Sequence, residues 1–298
     1  MQKFYFFIFF AFFTIFLEAQ IKPYEKEILI EFYNTTNGNE WEKSWNFNEP
    51  VENWFGITLE NGFVTKIDMP TNNITGHLPK TIFKLKKLRE LNLFFNRIEG
   101  NLPNNIGAAK ELQSLDLTLN KISGTIPQGI SSLQRLHTLK LGMNLLKGNI
   151  PKKLFTLSNL RILELHSNFL EGTIPSEIGK MKNLKVFSIG SNVMKGTIPT
   201  EIGRLKNLIS LDMFHNGFTG EIPQSITRLK GLKFLNLADN KLSGDIPSQI
   251  LELPNLDVLV LRNNDFENIL KFDQMSRDHS KEYDILGMSA LRLIPEGQ

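Results

Sequence analysis

Hydrophobic residues recur along most of the chain with a period of 24 residues. Each period carries two apolar residues, most often leucines, at alternate positions shortly before an asparagine, as in Leu115, Leu117 and Asn120. Alternation with a period of two predicts a short strand with one inward face, and the asparagine comes where that strand must turn. The asparagine recurs without insertion or deletion at Asn72, Asn96, Asn120, Asn144, Asn168, Asn192, Asn216, Asn240 and Asn264. Such repetition predicts a solenoid, in which each coil buries its apolar side against its neighbours.

A second set of fixed positions follows each asparagine. Aliphatic residues recur there, as in Ile122, Ile126 and Ile130, with Gly124 and Pro127 between them. Glycine permits a positive φ or a close backbone approach, and proline removes a donor where no ladder bond is needed. The asparagine amide both accepts and donates, so it can satisfy backbone groups that the turn leaves unpaired. We therefore expect the nine asparagines to form a structural ladder that joins successive coils.

The pattern LxxLxLxxNxxxGxIP resembles the plant-type class of leucine-rich repeat, which is found in the ectodomains of receptor-like kinases and in polygalacturonase-inhibiting proteins. The resemblance covers residues 64–270 in nine copies. It implies an α/β solenoid: a right-handed coil with a parallel sheet on the concave face and 3₁₀ turns or loops on the convex face.

Residues 20–63 are predicted to form a helical N-terminal cap. Ile28 with Phe32 and Leu29 with Tyr33 recur at helical spacing. The cap resembles that of exported bacterial leucine-rich-repeat proteins and departs from the plant cap, because the cysteines that flank the tryptophan there are absent. This resemblance favours a bacterial origin.

Residues 271–298 are assigned to a C-terminal cap or tail. Their apolar positions, beginning with Ile285 and Leu286, leave two alternatives: an added strand in the cap, or a disordered tail.

Residues 1–19 are predicted to be a signal peptide. Lys3 precedes an apolar run from Phe4 to Leu17, and Ala19 is a small residue at which a peptidase could cut. The run is shorter than the roughly 20 residues of a membrane-spanning helix, although an uncleaved anchor is the alternative. No second long apolar run follows, so we expect a secreted protein, or one on the outer cell surface, with no transmembrane segment in the mature chain.

Composition narrows the classes of partner. The chain is 41% hydrophobic and 22% charged, with a net charge of +3 and basic residues dispersed along the sequence. These values predict a globular protein and give no case for a nucleic-acid partner. With no cysteine, the fold must be held by packing alone and thiol chemistry is excluded. We expect a monomer.

The exposed positions of the concave face are expected six, four and two residues before each asparagine. The middle row contains mostly acidic and amide residues, including Asp116, Glu164 and Asp212, with Lys140 as an exception. Two hypotheses remain for this row. It either keeps a bare sheet soluble or receives cationic or hydroxyl-rich partners.

Apolar residues give two further candidates. Phe94, Phe95, Leu119 and Met143 form an exposed patch near the first third of the coil, unless the last three tuck under the turn. Further along, Ile162, Val186, Phe234 and Val258 line the concave face, and nearby aromatic rings could stack on a sugar or grip a peptide. The candidate ligand-binding residues are Phe94, Phe95, Asp116, Leu119, Lys140, Met143, Glu164, His166, Asp212, Phe214, His215 and Phe234.

Catalysis receives little support from the sequence. His166 and His215 are two repeats apart, about 10 Å by strand spacing, too far to share a zinc ion. Glu164 and Asp212 are also about 10 Å apart, near the upper limit for an inverting glycosidase. We therefore predict no enzyme, no metal site and no cofactor, and keep a glycan-acting enzyme as a third class of function.

The leading hypothesis is a binding protein that recognises a protein or oligosaccharide ligand on its concave face, in adhesion or recognition. The alternative, an inhibitor of an extracellular carbohydrate-degrading enzyme, is implied only by the resemblance to the plant inhibitors.

Overall fold

Successive coils of the chain stack into a solenoid whose concave face is a single sheet. The computed structural model describes residues 20–277 and 282–286. The expected signal peptide and most of the expected C-terminal tail lie outside the described residues. The strands, in chain order, are β1 (Ile57–Glu60), β2 (Phe63–Asp68), β3 (Glu90–Asn92), β4 (Glu99–Asn101), β5 (Ser114–Asp116), β6 (Lys121–Gly124), β7 (Thr138–Lys140), β8 (Leu145–Asn149), β9 (Ile162–Glu164), β10 (Phe169–Glu171), β11 (Val186–Ser188), β12 (Lys195–Gly196), β13 (Ser210–Asp212), β14 (Gly217–Gly220), β15 (Phe234–Asn236), β16 (Lys241–Gly244), β17 (Val258–Val260), β18 (Asp265–Phe266) and β19 (Glu282–Asp284).

The concave sheet has eleven strands in the described residues, in the order β1, β2, β3, β5, β7, β9, β11, β13, β15, β17 and β19. β1 and β2 form an antiparallel hairpin, and every later pair is parallel. Leu91, Leu115, Leu139 and Leu163 are register partners in turn, so each coil advances by one full repeat. The predicted parallel sheet is confirmed.

Short 3₁₀ helices form the back of each coil, as the resemblance implied. In the coils they span Lys80–Lys84, Ile106–Ala108, Gln128–Ser132, Lys152–Thr156, Ser176–Lys180, Thr200–Arg204, Gln224–Arg228 and Ser248–Ile250. Two more, Gly38–Glu40 and Val51–Asn53, lie in the N-terminal cap. Glycine is required where two of them meet, because a Cβ on Gly107 would lie 2.4 Å from the carbonyl oxygen of Gly129. At Gly231 the nearest atom would be 3.5 Å away, which leaves room for a methyl group.

A second set of strands was not predicted. The segments after the ladder asparagines from Asn96 to Asn264, expected to be turns, pair with their neighbours in two four-stranded sheets, β4-β6-β8-β10 and β12-β14-β16-β18. The glycine four residues after the asparagine has a positive φ, for example 75° at Gly124 and 73° at Gly220. The chain is therefore extended between the asparagine and the glycine, and the turn comes only at the glycine.

The core is a column of aliphatic side chains that repeats in every coil. Leu115, Leu117 and Ile130 are completely buried, and Ile122 and Ile126 are 1% and 3% exposed. Burying one such side chain stabilises the fold by roughly 1.5 to 3 kcal/mol relative to leaving it in water.

Tryptophans close the N-terminal end, where helix α1 (Pro23–Thr35) packs over the first coil. Trp41, Trp45 and Trp54 are at most 5% exposed, and the rings of Trp45 and Trp54 stack at 4.8 Å. Each indole N–H donates to a backbone carbonyl, as from Trp41 to Thr36 at 2.8 Å. Aromatic packing thus holds this cysteine-free cap together.

One carboxyl group is buried in this cap. Glu25 is inaccessible to solvent, accepts the backbone N–H of Val64 at 2.6 Å, and accepts the hydroxyl of Tyr24 at 3.0 Å. Burial raises the pKa of Glu25 above its ordinary value, and the two hydrogen bonds partly oppose that shift.

The C-terminal end is closed by helix α2 (Ile269–Ser276) and by β19, which adds a strand to the concave sheet. Phe272 and Ile285 are each 1% exposed, and Tyr283 is 4% exposed. For residues 282–286 the structure therefore agrees with the added strand rather than the disordered tail.

Candidate functional site

The ladder asparagines fix the carboxyl ends of the concave strands. Asn144 accepts the backbone N–H of Ile122 at 2.9 Å and donates to the carbonyl oxygens of Leu117, Leu141 and Gly142 at 2.9 to 3.1 Å. Every ladder asparagine from Asn96 to Asn264 accepts a backbone N–H and donates to the preceding coil, for example in the bonds of Asn96, Asn168 and Asn264. Asn72 bonds instead to the backbone of Lys43 in the cap.

The residue before each ladder asparagine adopts a left-handed backbone. Its φ lies between 49° and 57° at Thr71, Phe95, Leu119, Met143, Ser167, Ser191, His215, Asp239 and Asn263. The surrounding hydrogen bonds impose this conformation, since the carbonyl oxygen of Leu119 accepts the N–H of Asn96 and that of Met143 accepts the N–H of Asn120. Asparagine and aspartate tolerate the left-handed region, whereas bulky apolar residues rarely occupy it.

Three of these strained positions carry large apolar side chains in successive coils. Phe95 is 53% exposed and Met143 is 45% exposed, so neither tucks under the turn. Leu119 lies between them and is half-buried. Phe94 is also exposed, and its ring centroid lies 6.1 Å from that of Phe95.

The apolar surface continues on the other side of the ladder. The residue after the asparagine is Leu145, Phe169 and Val193 in three successive coils, and these are 47%, 57% and 59% exposed. We call the six residues the apolar rim; its members are Phe95, Leu119, Met143, Leu145, Phe169 and Val193. The rim runs across five coils at the carboxyl ends of the concave strands.

Sequence reasoning missed the second half of the rim, because those positions were assigned to a turn. A signal was present, since the residue after the ladder asparagine is polar in five of the other coils and is Gly217 in the sixth. Those polar residues are Asn73, Arg97, Lys121, Lys241 and Asp265.

Some carboxylates of the polar row on the concave face accept hydrogen bonds from nearby backbone N–H groups. Asp116 accepts the N–H of Thr118 at 3.0 Å, and Asp212 accepts the N–H of Phe214 at 3.2 Å. Lys140 and Glu164 form an ion pair at 3.5 Å. These contacts favour the hypothesis that the row keeps a bare sheet soluble.

Two glycines make room for side chains of the next coil. A Cβ on Gly142 would lie 2.6 Å from Cε1 of His166, so the imidazole occupies the space over that glycine. The Nδ1 atom of His166 is buried without a hydrogen-bond partner among the described residues. Gly190 accommodates Asp212 in the same way, with Oδ2 3.0 Å from the position of a Cβ.

The aromatic candidates nearer the C-terminus are less exposed than the rim. Phe214 and Phe234 are half-buried, and the rings of Phe214 and His215 lie 5.6 Å apart. His166 and His215 stand two coils apart. In residues 20–277 and 282–286, no group of three or more histidine, aspartate or glutamate side chains could hold a metal ion.

Comparisons with known proteins identify the repeat. One leucine-rich-repeat family model matches residues 158–218, and a second matches residues 87–109, 111–133 and 231–253. No protein with a curated description matches the chain.

Solved structures share the fold. The crystal structure of PEPR1-AtPEP1 is 32% identical, with a TM-score of 0.74 over 81% of this chain and 35% of that one. The HAESA ectodomain of Arabidopsis, in complex with an extended IDA peptide hormone ligand, is 30% identical, with a TM-score of 0.73 over 80% of this chain and 41% of that one. This chain therefore spans well under half of either receptor chain.

A plant ice-binding protein has nearly the same extent. It is 23% identical, with a TM-score of 0.68 over 83% of this chain and 88% of its own. At that identity the likeness concerns the fold alone.

Within the part of the chain that the structure describes, no helix is long and apolar enough to cross a membrane.

Proposed function

This chain is a leucine-rich-repeat protein with repeats of the plant type, and from that premise we propose that it binds a polypeptide along the apolar rim and the adjoining concave face. The observation that carries the proposal is the rim itself, six apolar side chains in five successive coils, of which five are exposed and Leu119 is half-buried. Contiguous exposed apolar surface, bordered by polar residues, is typical of protein contact sites.

The size of the rim fits an extended peptide. Coils in a parallel sheet are about 4.8 Å apart, so five coils span about 19 Å between the first and the last. An extended chain rises about 3.3 Å per residue, so roughly six residues of a partner would cover the rim. Side chains alternate along such a peptide, so every second one would face the rim.

Backbone strain favours a binding role for the first half of the rim. A left-handed conformation costs about 1 to 2 kcal/mol for a residue with a bulky side chain. Asn263 and Asp239 occupy equivalent positions without that cost, so stability alone would place similar residues at Phe95, Leu119 and Met143. Strained residues are concentrated at functional sites, and here each strained side chain is one that a ligand could cover.

The structural neighbours favour a polypeptide over a glycan. One is a complex of HAESA with a peptide hormone ligand, and its ectodomain superposes on most of this chain. Because this chain spans only part of that ectodomain, the hormone itself is not carried over. A recognition or adhesion role outside the cell is supported by the apolar run from Phe4 to Leu17.

The experiment is a selection of peptides from a randomised display library on the wild-type protein. The affinity of the selected peptides is then measured for a variant with Phe95→Asn, Leu119→Asn and Met143→Asn. Asparagine tolerates the left-handed backbone, so the variant should be at least as stable as the wild type. We expect apolar peptides that lose at least about 10-fold in affinity, since a few apolar anchors dominate such interfaces.

A matched control changes three polar residues of the neighbouring row, Arg97→Asn, Lys121→Asn and Lys241→Asn. These substitutions leave the rim intact and should change the affinity by less than about 3-fold. Selected peptides that bind the rim variant as tightly as the wild type would refute the proposal.

A further inference from the structure

Basic residues that are scattered in the sequence are gathered along one edge of the solenoid. Three positions per coil form this edge: the last residue of the 3₁₀ helix, the residue two places later, and the residue just before the concave strand. In the coils that end at Asn192, Asn216 and Asn240, eight of these nine positions are cationic. We call them the basic flank: Lys180, Lys182, Lys185, Arg204, Lys206, Arg228, Lys230 and Lys233. These basic residues are dispersed along the sequence, but the 24-residue period aligns them along one edge of the solenoid.

The basic flank is solvent-exposed, and a carboxylate, Glu177, interacts electrostatically with one of its members, Lys180. All eight side chains are exposed, and none forms an ion pair with another described residue. The ammonium of Lys206 donates to the carbonyl oxygen of Arg228 at 3.3 Å, which leaves its charge unneutralised. The nearby Glu177 pairs instead with Lys152 of the preceding coil at 3.1 Å.

The run of cations thins out on either side. In the coil before, the equivalent positions are Thr156, Ser158 and Arg161, of which one is cationic, and in the coil after they are Glu252, Pro254 and Asp257. Within the flank, equivalent positions of successive coils are about 4.8 Å apart, so their like charges repel one another. A cluster of one sign of charge raises the local concentration of an oppositely charged partner.

We propose that the basic flank binds a linear acidic polysaccharide whose sugar units carry carboxylate groups. A chain laid along the solenoid axis would meet new cations at each coil, so regularly spaced anions could be matched one after another. Asn183 and Asn207 lie between the cationic positions, and each donates its side-chain amide to a backbone carbonyl of the preceding coil, of Ser158 and of Lys182 respectively. Their Oδ1 atoms could accept hydrogen bonds from sugar hydroxyls.

Other polyanions fit this surface less well. None of the nine positions is aromatic, and single-stranded nucleic acids are held by bases stacked on aromatic rings. Duplex DNA also carries its charge more densely, about one per 1.7 Å of axis.

This site is separate from the proposed peptide site. The basic flank precedes the amino ends of the concave strands, and the apolar rim follows their carboxyl ends. A failure of one proposal therefore leaves the other standing. Peptide affinity should be unchanged by substitutions in the flank.

The test is a titration of the protein with a size-defined oligogalacturonate at low and at physiological ionic strength. The variant Lys182→Glu, Lys206→Glu and Lys230→Glu should bind at least about 100-fold more weakly, since each reversal replaces an attraction with a repulsion. The control variant Lys121→Glu, Lys147→Glu and Lys241→Glu changes the net charge equally at the opposite edge, and should bind within about 3-fold of the wild type. Wild-type affinity should fall as salt is added.

Three results would overturn the proposal. The first is an equal loss in both variants, which would mean that only net charge matters. The second is equal binding of the fully methyl-esterified oligomer, which carries no charge. The third is tighter binding of duplex DNA of equal charge, or of vesicles that contain anionic lipid. Thermal unfolding of each variant shows that the fold is retained.

Discussion

Replacing a single ladder asparagine tests the physical basis of the solenoid. The substitution Asn144→Ala removes the acceptor of the Ile122 N–H and one donor to the carbonyl oxygen of Leu117. Asn144 is 5% exposed, so water cannot replace the lost partners without opening the coil. The Leu117 carbonyl keeps a second donor, Asn120, at 3.1 Å, whereas the Ile122 N–H loses the side-chain oxygen to which it donates.

The expected loss is therefore dominated by one buried, unsatisfied N–H group. Such a group costs about 1 to 3 kcal/mol, and the loss of a donor to the carbonyls of Leu117, Leu141 and Gly142 adds roughly 1 kcal/mol. We expect Asn144→Ala to lower the free energy of unfolding by about 3 kcal/mol in urea titration. The melting temperature should fall by roughly 6 to 12 °C if the chain unfolds as one cooperative unit.

Asn159→Ala is the matched control. Asn159 is exposed and donates one hydrogen bond, to the carbonyl oxygen of Gln134 at 2.8 Å. Its loss should cost less than about 1 kcal/mol, since water can take its place. Asn144→Asp should destabilise at least as much as Asn144→Ala, because a carboxylate would face three carbonyl oxygens. Equal effects of Asn144→Ala and Asn159→Ala would refute the reasoning.

Two further substitutions test packing and burial. Gly107→Ala should lower the free energy of unfolding by about 1 to 3 kcal/mol in urea titration, because its methyl group would collide with the Gly129 carbonyl. Gly231→Ala is the control and should be nearly neutral. Equal effects of the two substitutions would contradict this packing. The pKa of the Glu25 carboxyl group is raised in the folded state, so folding favours its protonated form. The wild type should therefore become more stable relative to Glu25→Gln as pH falls from neutral through that raised pKa toward 4.5. A pH series of urea titrations measures this difference, and an advantage that grows as pH rises would show the opposite sign.

The concave strands and the core were predictable because their signal is repeated. Leu115 and Leu117 alternate in the same way in almost every coil, so chance matches are averaged out. The second sheets were not predictable in this way. The segment Lys121–Gly124 contains a glycine and follows an asparagine, both typical of turns, and its pairing depends on neighbours that are correctly stacked.

The apolar rim was only half predictable, for a different reason. Local preference argues against a left-handed backbone at Phe95, Leu119 or Met143, and the conformation arises from hydrogen bonds between coils. The outward direction of these side chains follows from that backbone. The basic flank escaped notice because its members are spread over three positions per repeat, and each position looks ordinary along the chain.

Because the nine units are equal in length, positions along the solenoid axis change in steps of one coil. Each surface site occupies particular coils, and its position does not depend on the total number of coils. Duplication of one complete unit, such as residues 145–168, would shift the sites that follow it by about 4.8 Å and leave every core contact with an equivalent partner. The distance between two bound partners is thus a quantity that this architecture can change in whole steps, without redesign of either surface.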